Sequence, residues 1–220
     1  MPSTGPAAPP PGGTRLGLGF VVGLAVVFVV LLLGGVALRA GSTDEPSWYG
    51  TELQPSRPRP EFALRDTQGR AFDFATETSG QMTVLFYGYA NCPDICPITL
   101  STLAEAKDEL SGVAVDVVFV TVDPARDTPD LLDRYLGTFD PDFVGLTGSL
   151  DEIDDALEAA GLPPAMPEQP DGDGSYEVGH TSRVLLITPD DQVHLMYPFG
   201  VRQDQWVQEL QAASNNEAWQ

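Results

Sequence analysis

Two continuous apolar runs limit the fold more than any other feature of the chain: residues 83–89 (TVLFYGY) and 113–122 (VAVDVVFVTV). Both are short, rich in β-branched or aromatic residues, and largely without a polar alternate face. Each therefore reads as a strand buried within a sheet. Between them residues 97–110 carry a helix. After the second run, Thr128 is a good N-cap and Pro129 suits the first helical position, which opens a helix to about residue 137. A short strand at 143–146, an acidic helix at 151–160, strands at 183–188 and 192–197, and a final helix at 203–213 complete the series. Ahead of the first run, residues 62–66 and 71–74 alternate around Thr67-Gln68-Gly69-Arg70 and read as a β-hairpin. Strands alternating with helices imply a central sheet with helices on both faces, an α/β fold.

The N-terminal part is organised differently. Residues 1–15 are Pro- and Gly-rich with almost no large apolar side chains, the composition of a disordered tail. Residues 16–38 (LGLGFVVGLAVVFVVLLLGGVAL) are uncharged over 23 positions and bracketed by Arg15 and Arg39. As a helix this run extends roughly 35 Å against a hydrocarbon core of roughly 30 Å, and it reads as a single transmembrane anchor. The competing reading is a cleaved secretory signal, whose apolar region is usually about 7–15 residues. Either delivers the rest of the chain to a membrane. Arg15 lies on one side and Arg39, Arg57 and Arg59 on the other, so charge decides little about orientation. Residues 39–60 are polar and proline-dotted, a linker. The folded domain is expected at 61–214, and 215–220 as a short tail. Asp and Glu outnumber Lys and Arg by 32 to 11, a formal charge of −21. Such a surface repels phosphate backbones and argues against nucleic acid as a partner.

The chain has two cysteines, Cys92 and Cys96, and two histidines, His180 and His194. Cysteines this close would shut too small a ring to restrain the unfolded chain, so redox or metal chemistry is the better reason for them. The segment Gly88-Tyr-Ala-Asn-Cys92-Pro-Asp-Ile-Cys96-Pro97 leaves a buried strand and enters a helix. Free amides and the positive end of the dipole there favour thiolates. On one helical turn the i, i+4 spacing places both sulfurs on one face. Thiolates with an imidazole suit Cu(I), Cu(II) or Zn(II). A structural zinc site needs a fourth protein ligand, which makes copper the preferred ion. The same pair can close a disulfide, giving a redox-active site. His180 stands where the long loop 162–176 leads into the strand at 183–188, whereas His194 reads as an ordinary residue within a strand.

Cys92-Pro-Asp-Ile-Cys96-Pro after a Gly-Tyr strand end, then Val122-Asp123-Pro124-Ala-Arg126-Asp127-Thr128-Pro129, then a histidine before a strand, resembles the SCO/SenC family. The similarity spans about residues 61–213, and the apolar run at 16–38 matches as well. CxxxC alone is a weak signal; the three motifs together are specific. The resemblance implies a thioredoxin-like fold in which the His180 junction lies beside the cysteine loop. It implies one copper ion, Cu(I) or Cu(II), per monomer, held by Cys92, Cys96 and His180. Asp123 matches an acidic position near the cysteines, where it would orient a ligand by a hydrogen bond. The run from Arg126 to Pro129 reads as helix-start architecture. The family's role implies delivery of copper to the dinuclear copper centre of cytochrome c oxidase subunit II, with another copper chaperone or a thioredoxin-like reductant as a further partner. It also implies a single-pass protein of the cytoplasmic membrane with its domain on the extracytoplasmic side. The alternative is a thiol–disulfide oxidoreductase that reduces the cysteines of that centre or of other extracytoplasmic proteins. Family members often carry Asp before the histidine and Ser after it; here Gly179 and Thr181 stand there.

Overall fold

The computed structural model describes residues 48–168 and 176–220, with a few isolated positions between 5 and 28. In chain order the elements are β1 (Thr51–Pro58), β2 (Ala63–Asp66), β3 (Ala71–Asp73), α1 (Phe74–Glu77), β4 (Thr83–Gly88), α2 (Ile95–Glu109), β5 (Asp116–Thr121), α3 (Pro129–Leu136), β6 (Val144–Thr147), α4 (Leu150–Ala159), β7 (Met166–Pro167), β8 (Val178–Gly179), β9 (Val184–Ile187), β10 (Gln192–Tyr197) and α5 (Gln203–Ser214), with a 3₁₀ turn at Glu217–Trp219. Eight strands form one sheet in the order β1-β10-β9-β4-β5-β6-β2-β3, and β7 pairs with β8 in a separate ribbon.

The two apolar runs lie at the centre of this sheet. All six residues of β4 are buried, and β5 runs parallel to it from Thr83↔Asp116 to Gly88↔Thr121. Strand β6 continues the parallel set, while β9 closes the other side of β4 antiparallel. Helices cover both faces. Tyr87 donates its hydroxyl to the carbonyl of Ala156 in α4 at 2.9 Å, whereas the next position, Gly88, faces Cys96 of α2. Successive strand residues point to opposite faces, so α4 and α2 lie on opposite sides of the sheet. The helix starts follow local chemistry. Thr128 Oγ1 accepts from the Leu131 amide at 3.3 Å, and Ser149 with Glu152 forms a reciprocal capping box at α4.

Several segments differ from the sequence reading. Residues 51–58 were expected within the linker but form edge strand β1, paired antiparallel with β10. Pro55 and Pro58 disguise it, although an edge is where a strand tolerates a missing N–H. Arg59, taken above as a charge flanking the membrane, is buried instead. Its guanidinium donates to Asp191 Oδ1 at 2.8 Å, Thr78 Oγ1 at 2.6 Å and the Gln81 carbonyl at 2.8 Å. Residues 215–220, expected as a tail, carry Trp219, which is buried and stacked on Trp48 with centroids 4.9 Å apart. Chain ends read as tails from composition, but a large aromatic ring repays docking.

Residues 48–220 form one compact unit. The tail expected at 1–15, the anchor at 16–38 and the first part of the linker lie almost wholly outside the described residues. Among the described residues no helix is long and apolar enough to cross a membrane.

Candidate metal centre

The cysteine loop connects the C-terminal end of β4 to α2. Gly88 closes the strand, and a Cβ there would stand 2.6 Å from Cys96 Sγ and 2.9 Å from the Phe119 ring. Only a residue without a side chain lets the sulfur lie against the strand backbone. Cys92 precedes the helix, which begins at Ile95, so the two cysteines do not share a complete helical turn, the condition under which their spacing would align the sulfurs. A hydrogen bond gathers them instead: the Cys96 amide, free in the first turn of α2, donates to Cys92 Sγ at 3.4 Å. Pro97 fits this turn because the amide it lacks has no partner inside the helix.

His180 comes from a part of the chain 84 residues beyond Cys96, directly after β8. Its Nε2 lies 3.7 Å from Cys96 Sγ, and its Nδ1 lies 2.8 Å from the Thr181 carbonyl oxygen. A carbonyl only accepts, so Nδ1 carries a proton and Nε2 is the ring nitrogen that faces the sulfurs. The Tyr89 ring meets the imidazole edge to face, with centroids 5.5 Å apart. One donor atom from each of Cys92, Cys96 and His180 lies within 4.8 Å of the others. Both cysteines are free and buried.

The sulfurs differ in charge. The hydrogen bond from the Cys96 thiol is the main force lowering the Cys92 pKa to about 5. It overcomes burial, and the Cys96 amide and His180 add to it. Cys96, as the donor in that bond and more deeply buried, is pushed up. The resting pair is thus one thiolate and one thiol.

Asp123 is buried and accepts from the Tyr176 hydroxyl at 2.9 Å and from Arg126 Nε. It hydrogen-bonds to none of the three candidate ligands among the described residues. His194 belongs to a different cluster, with Nε2 2.8 Å from Asp190 Oδ2 and its ring stacked on Trp219 at 4.3 Å.

Two neighbours went unrecognised in the sequence. Gly88 had no assigned role. Asp127, assigned only to a helix start, is fully buried, and its Oδ2 accepts from Thr121 Oγ1 at 2.6 Å and from the Ala90 amide at 2.9 Å. Burial raises its pKa, and the charge of Asp123 adds to the rise. It thereby ties the start of the cysteine loop to the end of β5. The motif around Asp127 was visible; its partners, 37 residues away at Ala90 and six at Thr121, were not.

Two thiol sulfurs and an imidazole form a soft donor set of three, and no other Cys, His, Asp or Glu joins the group among the described residues. That set fits copper, which accepts low coordination, better than tetrahedral zinc.

Known proteins carry the same arrangement of chain. A SCO2-like protein of Rickettsia conorii is 36% identical over 129 residues, which covers 58% of this chain and 62% of that protein. This chain therefore spans less than two thirds of that relative. The solution structure of apo Sco1 from Thermus thermophilus superposes with a TM-score of 0.68 at 34% identity, covering 78% of this chain and 99% of that one. Yeast Sco1 with copper bound gives a TM-score of 0.67 at 30% identity, over 74% of this chain and 90% of that one. Their common fold is the thioredoxin-like sheet described above. The SCO1/SenC family profile matches residues 50–215, from the start of β1 to the end of α5 with both cysteines and His180 inside it, and the chain belongs to that family.

Proposed function

We infer that the chain is a copper-binding assembly factor: it takes up one copper ion at Cys92, Cys96 and His180 and passes it to the dinuclear copper centre of cytochrome c oxidase subunit II. The observation that carries this reading is the convergence of the three soft donors within 4.8 Å. The family membership and the copper-bound yeast relative support it. Copper here is cargo. A low-coordinate site suits transfer, because an incoming thiolate can attach before an existing ligand leaves. In this reading residues 16–38 hold the domain at the outer face of the cytoplasmic membrane, which places it where the oxidase copper centre is assembled. The test is transfer from the loaded chain to the metal-free copper domain of subunit II. Copper should appear on the recipient with wild type and not with Cys92→Ser or Cys96→Ser. Transfer at the wild-type rate from either variant contradicts the reading.

The split between the two sulfurs supports a second activity at the same site. A thiolate at Cys92 beside a thiol at Cys96 is the arrangement of a disulfide reductant. Cys92 Sγ would attack a target disulfide, form a mixed disulfide and release one target thiolate. Cys96 would then lose its proton and displace the second, leaving Cys92–Cys96 oxidised and the target reduced by two electrons. Reduction of an oxidised subunit II peptide by metal-free chain, one disulfide per chain, tests it. A Cys96→Ser variant should stall as the mixed disulfide.

A further inference from the structure

Arg126 is the least explained charged residue near the site. Helix-start architecture does not account for it, since Thr128 alone supplies the side-chain cap of α3. Instead its guanidinium reaches across to the segment that carries His180. Cζ lies 3.6 Å above the centroid of the Tyr176 ring, and Nη1 donates to the Tyr176 carbonyl at 2.9 Å. Nε donates to Asp123, whose other oxygen accepts from the Tyr176 hydroxyl at 2.9 Å. One arginine therefore grips the ring face and the backbone of Tyr176, while Asp123 holds its hydroxyl. The partners are 50 residues apart in sequence. Arg126 Cζ also lies 5.7 Å from the Tyr89 ring, which itself abuts His180.

The geometry matters because, among the described residues, His180 has little else to hold it. Its ring nitrogens meet the neighbouring Thr181 carbonyl and the two cysteine sulfurs. Strand β8 beside it is two residues long and, among the described residues, pairs only with β7. A backbone held so lightly opens readily unless something fixes it. A guanidinium stacked on a ring and bonded on its edges is suited to that, and a lysine ammonium cannot copy it.

We propose that Arg126 is a positioning residue for the third ligand: through Tyr176 it fixes residues 176–180 so that the imidazole closes on the two sulfurs, and release of this clasp converts the site from two sulfurs and a nitrogen to two sulfurs. This rests on the copper reading above. Arg126 touches neither sulfur nor imidazole by hydrogen bond; it acts through Tyr176 and Tyr89. The loosened site would retain its thiolates and lose the nitrogen first, which orders ligand exchange during transfer.

The experiment is a double-mutant cycle on the purified full chain, reduced and anaerobic, with Cu(I) affinity read by competition against a chromophoric chelator. Arg126→Met should weaken Cu(I) binding by about tenfold to a hundredfold in the wild-type background, as loss of an orienting partner does. In the His180→Ala background it should add almost nothing, because the residue it positions is gone. Equal weakening in both backgrounds, or none in either, overturns the proposal. A second readout needs no metal: through-space NMR contacts between the His180 and Tyr89 rings should be present in wild type and lost in Arg126→Met. Tyr176→Leu removes the other half of the clasp and should reproduce both results if Arg126→Met misfolds. Intact His180–Tyr89 contacts in a folded Tyr176→Leu chain also overturn it. Should wild type fail to bind copper, the function proposed above falls, while the metal-free contacts still decide the clasp.

Discussion

At the scale of single residues, the site depends on which sulfur holds the proton. With Cys92 lowered to about 5 and Cys96 raised, alkylation at neutral pH should modify Cys92 and leave Cys96 largely untouched. The Cys92 rate should rise with pH around a midpoint near 5 and level off above it, read by mass spectrometry after brief iodoacetamide pulses. Equal labelling of the two, or a midpoint near the ordinary thiol value of 9.0, would contradict this account. The Gly88 position gives a steric counterpart. A methyl group 2.6 Å from Cys96 Sγ must displace it or the Phe119 ring. Gly88→Ala is expected to destabilise the fold by about 1–3 kcal/mol, measured by urea unfolding, and to weaken copper binding with it. Cysteine and histidine were legible as candidates because both are rare here and chemically specific. Gly88, Asp127 and the Arg126–Tyr176 pair were not, because what each does is a contact with residues distant in the chain.

At the scale of elements, legibility followed burial pattern. Strands β4 and β5 stood out because continuous apolar runs between polar segments have few other uses. Helix α3 announced its start through Thr128, whereas the Ser149 cap of α4 was not singled out in the sequence. Strand β1 was hidden by its prolines and its half-exposed edge, and the β7–β8 ribbon by being two residues wide. The C-terminal turn was hidden by its length alone. Trp219 lies between Trp48 and His194 in a stack that joins the two ends of the compact unit. Trp219→Ala should lower stability by about 3 kcal/mol, as for a buried ring, and raise hydrogen exchange in β1 and β10. Unchanged unfolding would make the stack ornamental. Arg59→Ala should also be costly, by about 2 kcal/mol or more, since it removes the buried donor shared by Thr78, Gln81 and Asp191.

At the scale of the whole molecule, the sheet serves to bring two remote segments together. The cysteine loop leaves the C-terminal end of β4, and the His180 segment enters β9, the antiparallel neighbour of β4. Neither segment carries a complete site, so metal affinity is coupled to the fold. It is coupled to protons as well. Loading requires both sulfurs as thiolates. Above pH 5 Cys92 is already ionised, so ion binding should expel about one sulfur proton, that of Cys96, and affinity should rise about tenfold per pH unit. Below pH 5 the Cys92 proton joins it and the dependence steepens. Proton release in weak buffer during copper addition checks the count.

The central claim is that Cys92, Cys96 and His180 hold a single ion together, and anaerobic copper titration of the reduced chain followed by absorption tests it most directly. Wild type should saturate at one copper per chain. His180→Ala should still bind through its sulfurs, at least about tenfold more weakly and with an altered thiolate-to-copper band, and the double variant Cys92→Ser with Cys96→Ser should lose the site. Full-strength binding by that double variant, or a His180→Ala titration indistinguishable from wild type, would contradict the account.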